Sequence, residues 1–236
     1  MKSKNNYKTM QAEFDLLADE YYQQHKANIA ITGEDPEYFS KYKIVDFAEY
    51  FKKINTPSSI LDFGSGIGNS IPYFRECFPA SQLFCSDVSS RSMEISKERF
   101  PGNEVYLKID DCIPAEDQAF DAAFTACVFH HIPPNAHPKW IEELRRVVKQ
   151  GGKLALYEHN PLNLLTVRAV NNCPIDVNAR LIRARKMRQL LIDGGWRHVK
   201  VEYKIFFPSA LKSLRIFERY MRSVFLGAQY RVTAIK

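Results

Sequence analysis

The stretch SSILDFGSGIGNS (residues 58–70) places an apolar run directly before three glycines at alternate positions. Pro57 and Gly64 bound the apolar run, as expected for a short strand buried in a parallel sheet. Gly64, Gly66 and Gly68 have no Cβ, so the chain can turn sharply there and approach a ligand closely. In an open α/β sheet, ligands bind at the carboxyl ends of the strands. The stretch therefore predicts a strand followed by a ligand-binding turn.

The segments on either side alternate between strand and helix patterns. Strands are predicted in QLFCSD (82–87), EVYLKI (104–109), FDAAFTACVF (120–129) and KLALYEH (153–159). Helices are predicted in NSIPYFRECF (69–78), SRSMEISKERF (90–100) and PKWIEELRRVVK (138–149), the last ended by Gly151 and Gly152. This order implies a parallel sheet with right-handed crossovers and helices on both faces.

The remaining segments suggest how the sheet is completed. After residue 160 we predict a helix, a strand, a helix and a last strand, in ARKMRQLLIDGGW (184–196), HVKVEYKIFF (198–207), SALKSLRIFERYMRSVF (209–225) and AQYRVTAI (228–235). Residues 1–56 are predicted to form an N-terminal helical cap at the C-terminal edge of the sheet. Residues 57–236 are predicted to form one domain, with core motifs in 57–160 and a basic part in 161–236.

Charge and cysteine content narrow the class of protein. Residues 161–236 carry 15 basic and 4 acidic side chains, whereas residues 1–160 carry 18 basic and 23 acidic ones. The basic part is therefore expected to face an anionic partner. The five cysteines have neither disulfide-framework nor zinc-site spacing, so no metal is expected. No apolar run approaches about 18 residues, which predicts a cytoplasmic protein, neither secreted nor membrane-spanning.

The glycine spacing argues against two common ligands. A dinucleotide fingerprint would need glycine where Asn69 or Ile71 stands, and no GKS or GKT follows for a P-loop. A nicotinamide oxidoreductase is disfavoured for this reason. Asp62 lies just before the glycines, where a carboxylate would repel phosphate but suit a cationic ligand. Asp62 also has a purely structural interpretation, in which it only stabilises the turn or caps the next helix.

Several motifs in order resemble the class I S-adenosylmethionine-dependent methyltransferases, of a bacterial-type subgroup similar to methyltransferase types 11 and 12 whose substrates are mostly unassigned. The resemblance covers residues 57–160 and implies a Rossmann-like, doubly wound, mostly parallel seven-stranded α/β sheet. ILDFGSGIGNS, CSDVS, IDDCIP and FDAAFTACVFHHIPP carry it. It implies S-adenosylmethionine as cofactor, S-adenosylhomocysteine as product, and cofactor contacts from Asp62, Gly64, Ser65, Gly66, Gly68, Asp87, Val88, Asp110, Asp111, Cys112 and Cys127.

Within these motifs some roles stay open. Asp87 is expected to bind the ribose hydroxyls, because a carboxylate accepts strong hydrogen bonds. Its alternative role is to cap the following helix. Either Asp110 or Asp111 is expected to contact adenine. Cys127 is as readily explained by core packing, since free cysteine usually behaves as a small buried hydrophobe.

Histidines follow two of the predicted strands at the edge where the ligand should bind. Methyl transfer is an in-line displacement, so alignment supplies much of the rate. A hydroxyl acceptor would also need a general base, and neutral histidine suits that role at pH 7. We predict His131 or His159 as this base, and Glu158 either as the residue that orients His159 or as a buried, paired acid. The alternative is that the HHIP segment is only a turn in which one ring bonds to backbone.

The acceptor is less well defined than the cofactor. EHNPLNLLT, CPIDVNARLI, FFPSALKSL and GAQYRV resemble the subgroup, some of whose members are associated with glycan or lipid assembly. We predict an O or N nucleophile on a small-molecule, glycan- or lipid-linked acceptor, which phosphate-binding arginines in 178–188 would suit if it is phosphorylated. Leu211, Leu214, Phe217, Met221 and Val224 would form one helical stripe. Such a basic amphipathic helix favours peripheral contact with an anionic inner membrane face, or simply packs into the core.

Two other functions remain as alternatives: a catalytically silent cofactor-binding scaffold and a nucleic-acid methyltransferase. No missing motif favours the scaffold. Nucleic acid is disfavoured because the arginine-rich segment NARLIRARKMR (178–188) lacks the interleaved aromatic residues of a single-strand groove. The sequence leaves the oligomeric state undetermined.

Overall fold

The computed structural model describes residues 33–51 and 55–236, together with Asp15. Within this part of the chain, seven strands form one sheet: β1 (Ser59–Phe63), β2 (Gln82–Asp87), β3 (Val105–Lys108), β4 (Phe120–Ala126), β5 (Val148–His159), β6 (Arg197–Lys204) and β7 (Gln229–Ile235). Their order is β3-β2-β1-β4-β5-β7-β6. Strands β1 to β5 pair in parallel, while β7 pairs antiparallel with both β5 and β6. The predicted mostly parallel, seven-stranded Rossmann-like sheet is confirmed.

Seven α-helices lie among the described residues: α1 (Pro36–Glu49), α2 (Ile71–Cys77), α3 (Ser90–Arg99), α4 (His137–Val147), α5 (Leu164–Asn171), α6 (Ala184–Asp193) and α7 (Glu218–Met221). Shorter 3₁₀ segments span Pro134–Ala136, Pro174–Asp176 and Ser209–Phe217. None of the described helices is long and apolar enough to cross a bilayer.

The sheet is covered on both faces, because successive side chains of a strand point to opposite sides. On one face, Leu61, Leu154 and Leu156 belong to a buried cluster with residues of α4 and α6. On the other, Ile60 and Tyr157 belong to a second cluster with residues of α1 and α2. This two-sided burial explains why the central strands are continuously apolar in sequence.

Helix α1 packs into the sheet rather than only over its edge. Ile44 and Phe47 are fully buried in the second cluster. Phe39 and Lys43, nearer the start of the helix, line a cavity at the carboxyl ends of the strands. The assignment of residues 1–56 as a separate cap stays a prediction, because most of residues 1–32 and residues 52–54 lie outside the described part.

One predicted helix was wrong, and another ends earlier than predicted. The helix expected over 209–225 is instead a 3₁₀ segment and the four-residue α7, and Leu211 within it has non-helical backbone angles. The Glu218 carboxylate accepts hydrogen bonds from the backbone N–H groups of Phe206 and Phe207, which folds this segment back on itself. Helix α4 ends at Val147, before the glycines, and β5 begins at Val148 with an irregular register.

The apolar stripe expected on that helix is not buried. Leu211 is 46% exposed, Phe217 51% and Val224 37%. Without regular helical geometry, these side chains do not align against the sheet. The interpretation of the stripe as core packing is therefore wrong.

A buried charge network joins α1 to the antiparallel edge of the sheet. The Asp46 carboxylate accepts hydrogen bonds from Tyr157 Oη (2.8 Å), Lys204 Nζ (2.7 Å) and Arg231 Nη1 (2.8 Å). Glu202 pairs with the same lysine and arginine. Two of the basic side chains of the C-terminal part are thus neutralised inside the fold rather than presented to a partner.

We expect Asp46→Asn to lower the free energy of unfolding by about 3 kcal/mol, because it leaves two buried cations short of a partner. Asp117→Asn is the matched control, since Asp117 pairs with Arg146 at 2.9 Å but its side chain is 73% exposed. Such surface pairs contribute at most about 1 kcal/mol. Urea denaturation of both variants measures the difference, and equal losses would contradict a stabilising role for the buried network.

Candidate active site

The glycine turn between β1 and α2 is held against the end of β2. The backbone N–H groups of Gly64 and Ser65 both donate to the Ser86 carbonyl, at 2.8 and 3.0 Å. Gly64, Gly66 and Gly68 all have positive φ angles, of 79°, 52° and 80°. L-residues with a side chain seldom adopt this region, which explains the choice of glycine.

The three glycines differ in what surrounds them. A Cβ at Gly64 would lie 2.3 Å from Val128 Cγ2, and one at Gly68 would lie 2.2 Å from Ser96 Oγ. A Cβ at Gly66 would meet nothing within 4 Å. The outer two glycines therefore permit close packing of the turn, while Gly66 leaves its backbone exposed to the space in front of it.

Asp87 ends β2 and is hydrogen-bonded to this turn. One carboxylate oxygen accepts from the Gly66 N–H and the other from the Ser89 N–H, each at 2.8 Å. Burial raises the pKa of Asp87 in spite of these two bonds. The alternative role as helix cap is wrong, since it is the Ser89 side chain that accepts from Ser92 N at the start of α3.

Two cavities open at the carboxyl ends of the strands and meet at the glycine turn. The larger has a volume of about 290 Å³ and the smaller about 100 Å³. Both are lined by Gly64, Gly66, Ile67, Ala126, Cys127 and His131. Asp87 and Val88 line only the smaller cavity, and Asp62 and Ser65 only the larger one. The two cavities therefore form one path, with the turn at its middle.

Asp62 is a buried acid at the junction. Its side chain is 3% exposed. Burial and the nearby Asp87 raise the pKa of Asp62 to about 8, although Lys43 opposes this shift. A cation placed beside Asp62 would stabilise the carboxylate, so this acid is suited to a positively charged ligand.

Glu158 holds His130, not His159 as one prediction had it. His130 Nδ1 lies 2.6 Å from Glu158 Oε2, and both groups are almost fully buried. The other oxygen of Glu158 accepts from the backbone N–H groups of Val128 and Phe129. Glu158 thus fixes the HHIP turn from beneath, and its alternative interpretation as a buried, paired acid is the correct one.

The neighbouring histidines have different protonation behaviour. Burial opposes charge on His130, but Glu158 and Asp176 outweigh it and raise the pKa of His130 to about 10. Burial and the adjacent His130 lower the pKa of His131 to about 3. His131 is therefore neutral at pH 7 and a weak proton acceptor. His159 ends β5 and also lines the larger cavity, with its ring centroid 5.2 Å from that of His130.

Cys127 is part of the cavity wall, so its interpretation as core packing is wrong. It has a φ angle of 59°, and its Sγ lies 3.5 Å from Lys43 Nζ. Burial raises the pKa of the Cys127 thiol, but His159 and Lys43 outweigh burial and lower it to about 7. Lys43 and His159 therefore favour the thiolate form of Cys127 at the junction of the two cavities.

The acidic residues of the loop after β3 lie outside both cavities, unlike residues of the other motifs. Asp110, Asp111 and Cys112 are exposed and line neither cavity, and Asp110 lies 3.8 Å from Lys108 Nζ. Ile109, just before them, does line the smaller cavity. A contact of this loop with a bound ligand stays a prediction.

The structure adds residues that sequence reasoning did not assign to the site. Lys43 comes from a helix expected only to act as a cap, and Trp140 from α4. Asp176 lies in the CPID segment and approaches both His130 and His131. The CPID segment was the available signal, because it is one of the segments that resemble the subgroup. Spacing along the chain could not connect it to the histidines.

Comparison with known proteins agrees with this arrangement. Residues 61–156 match the sequence model of a family described as "Methyltransferase domain". Demethylmenaquinone methyltransferase of Thermotoga maritima is 27% identical over 64% of this chain and 61% of its own length. A tRNA (carboxymethyluridine(34)-5-O)-methyltransferase of Arabidopsis thaliana is 33% identical over 48% of this chain and 26% of its own. The matched region thus spans less than two thirds of either relative.

The fold is also shared with solved structures. A SAM-dependent methyltransferase from Archaeoglobus fulgidus superposes with a TM-score of 0.66, covering 86% of this chain and 95% of the other at 16% identity. At that identity the likeness concerns the fold. Residues 61–156 therefore match a methyltransferase domain, and the sheet that contains them has the fold of the class I S-adenosylmethionine-dependent methyltransferases.

Proposed function

We propose that the protein transfers the methyl group of S-adenosylmethionine to an oxygen or nitrogen nucleophile of a lipid- or glycan-linked small-molecule acceptor. The observation that carries this proposal is the continuous path of two cavities that meet at the glycine turn. The smaller cavity suits a nucleoside, while the larger one has room for the amino-acid end of the cofactor and for an acceptor. The cofactor, when bound, supplies an electrophilic methyl group on a sulfonium.

The binding residues match the parts of the cofactor. Asp87 would accept hydrogen bonds from the ribose hydroxyls, and Trp140 and Ile109 would border the adenine. Asp62 would pair with the α-ammonium group. Gly66 offers no side chain to block the ligand. The residues present therefore fit the cofactor in both charge and shape.

His159 is the best candidate for the base that takes the acceptor's proton. As the new bond from methyl carbon to acceptor forms, the bond from carbon to sulfur breaks, and the acceptor loses a proton to the base. His131, with its lowered pKa, would hold this proton poorly. Cys127 and Lys43 complete the electrostatic surroundings of His159.

The rim of the larger cavity supports an acceptor with an apolar part. Leu165 lines this cavity and is 63% exposed, and the segments next to lining residues carry Leu164, which is 82% exposed, Phe225, 56%, and Leu226, 54%. Two asparagines tie these segments together: Asn160 Nδ2 donates to the carbonyls of Phe225 and Gly227, and Asn163 Nδ2 to that of Leu226. A fixed group of exposed apolar side chains at a pocket mouth commonly marks an interaction site.

Exposed basic residues flank this rim. Arg168 lies on α5 beside Leu164 and Leu165, while Lys212 and Arg219 lie in the segment that also contains Phe217. Apolar side chains among cations suit the interface of an anionic membrane or of a lipid-linked phosphate. Transfer to RNA is the competing outcome, because one relative is named a tRNA methyltransferase.

We expect Asp87→Asn to weaken S-adenosylhomocysteine binding about 100-fold, since two charge-assisted hydrogen bonds of about 1.5 kcal/mol each are lost. Asp110→Asn is the matched control and also tests the loop after β3. Isothermal titration calorimetry measures both affinities. An unchanged affinity in Asp87→Asn would remove Asp87 from the ribose site, and a loss in Asp110→Asn would place that acid at the adenine.

The affinity for S-adenosylhomocysteine should also depend on pH. In the free protein the pKa of Asp62 is about 8, so below that pH the ammonium group must displace a proton. Affinity should then rise about tenfold for each pH unit up to 8 and level off above it. Asp62→Asn should abolish the rise. A slope that persists in this variant would show that another group, such as Asp87, is responsible.

Transfer of a labelled methyl group from S-adenosylmethionine into fractions of a cell lysate tests the acceptor class. We expect label in the lipid or glycolipid extract, and its loss in Asp87→Asn. In His159→Gln the turnover rate should fall, on the order of 100-fold, with cofactor affinity retained. Label in RNA would transfer the proposal to nucleic acid. No label in any fraction would favour a silent cofactor-binding protein.

A further inference from the structure

Three side chains from two separate segments converge on one point in the larger cavity. His130 and His131 follow β4, and Asp176 ends the 3₁₀ segment after α5. One ligand atom from each lies within 4.8 Å of the other two. We propose that His130, His131 and Asp176 bind a divalent transition-metal ion. No metal was expected from the sequence, because the five cysteines lack zinc-site spacing and Asp176 lies far from the two histidines in the chain.

The distances fit the dimensions of such a site. His130 Nε2 lies 3.5 Å from Asp176 Oδ1, and His131 Nε2 lies 3.4 Å from the same oxygen. In a tetrahedral zinc site, bonds of about 2.0–2.1 Å place neighbouring ligand atoms about 3.3–3.4 Å apart. Both distances to Asp176 Oδ1 therefore match this spacing, while the third separation, between the two imidazoles, is bounded by the 4.8 Å that encloses the cluster.

Residues behind the cluster hold it in position. His130 uses Nδ1 to contact Glu158, which directs Nε2 toward Asp176. Carboxylate–histidine–metal arrangements of this kind orient the ring and strengthen the ligand. In addition, the Arg180 N–H donates to the His130 carbonyl at 2.7 Å, so the segment after Asp176 is fixed to the histidine turn. The two segments that supply the three proposed ligands are therefore connected to each other.

The donor set and its surroundings narrow the type of ion. Two imidazoles and one carboxylate suit zinc, iron, cobalt or nickel, whereas magnesium and calcium prefer oxygen ligands alone. Three protein ligands leave a coordination position open, as in catalytic rather than structural sites. All three residues line the larger cavity, so this position faces the space assigned to the acceptor. The alternative to a metal ion at this position is a proton shared between His130 and Asp176.

The ion would bind an oxygen or anionic group of the acceptor and so hold it near His159. This consequence rests on the proposed methyl transfer, but metal binding itself does not. A failure of methyl transfer would leave the metal site standing, and absence of metal binding would leave the methyltransferase proposal unchanged. Metal binding is therefore measured directly.

The experiment titrates chelator-stripped protein, purified without a polyhistidine tag, with Co²⁺ alone. The visible d–d absorption of cobalt reports the coordination, and calorimetry with Zn²⁺ reports affinity and stoichiometry. We expect one equivalent to bind, and Asp176→Asn and His131→Gln each to weaken binding by more than about 100-fold. Glu158→Gln, which removes only the supporting carboxylate, should weaken it by about 10- to 100-fold.

Asp193→Asn and His198→Gln are the matched controls, because both residues are exposed and lie away from the cavities. Both should bind like the wild type. Circular dichroism melts establish that each variant is folded, and the ligand variants are independent, so one that misfolds leaves the other as the test. Equal affinity in the ligand variants and the wild type, a sulfur-to-cobalt charge-transfer band, or no saturable binding by the wild type would overturn the proposal.

Discussion

The candidate active site depends on the attachment of the glycine turn to the end of β2. The Ser86 carbonyl accepts from Gly64 and Ser65, and the Asp87 carboxylate accepts from Gly66. These bonds require positive φ angles at the glycines, and the close approach to Val128 and Ser96 excludes larger residues. The turn thereby bonds to the same strand that supplies the acid of the smaller cavity. The two cavities meet at this turn because the two strand ends are joined there.

Charge inside the site is arranged around two groups of opposite character. Asp62 and Asp87 are buried close together, and burial raises the pKa of both, so this end of the path favours a cationic ligand. The histidines line the larger cavity together with Asp62, and Glu158 and Asp176 compensate the charge of His130. Cys127 lines both cavities.

The basic C-terminal part has two functions in the structure. Lys204 and Arg231 form buried ion pairs with Asp46, and these pairs connect α1 to β6 and β7. Arginines in the segment 168–188 and Arg219 on α7 stay exposed at the surface, whereas Arg215 on the 3₁₀ segment pairs with Glu34. The net charge of this part therefore overstates the cationic surface, and the apolar rim, not charge alone, supports the choice of acceptor.

The sequence determined the positions of the strands along the chain, the glycine turn and the acid at the end of β2, because these follow from local apolar runs and from residues with special backbone freedom. It placed His130, His131 and His159 at one sheet edge for the same reason. Only the tertiary structure decided which partner each one has. Glu158 pairs with His130 and not with His159, which follows it in the chain. Asp176 and Lys43 reach the cavity from segments distant in the chain. It also decided that residues 209–225 do not form one helix, since a helical pattern becomes a helix only where its apolar face has a surface to pack against.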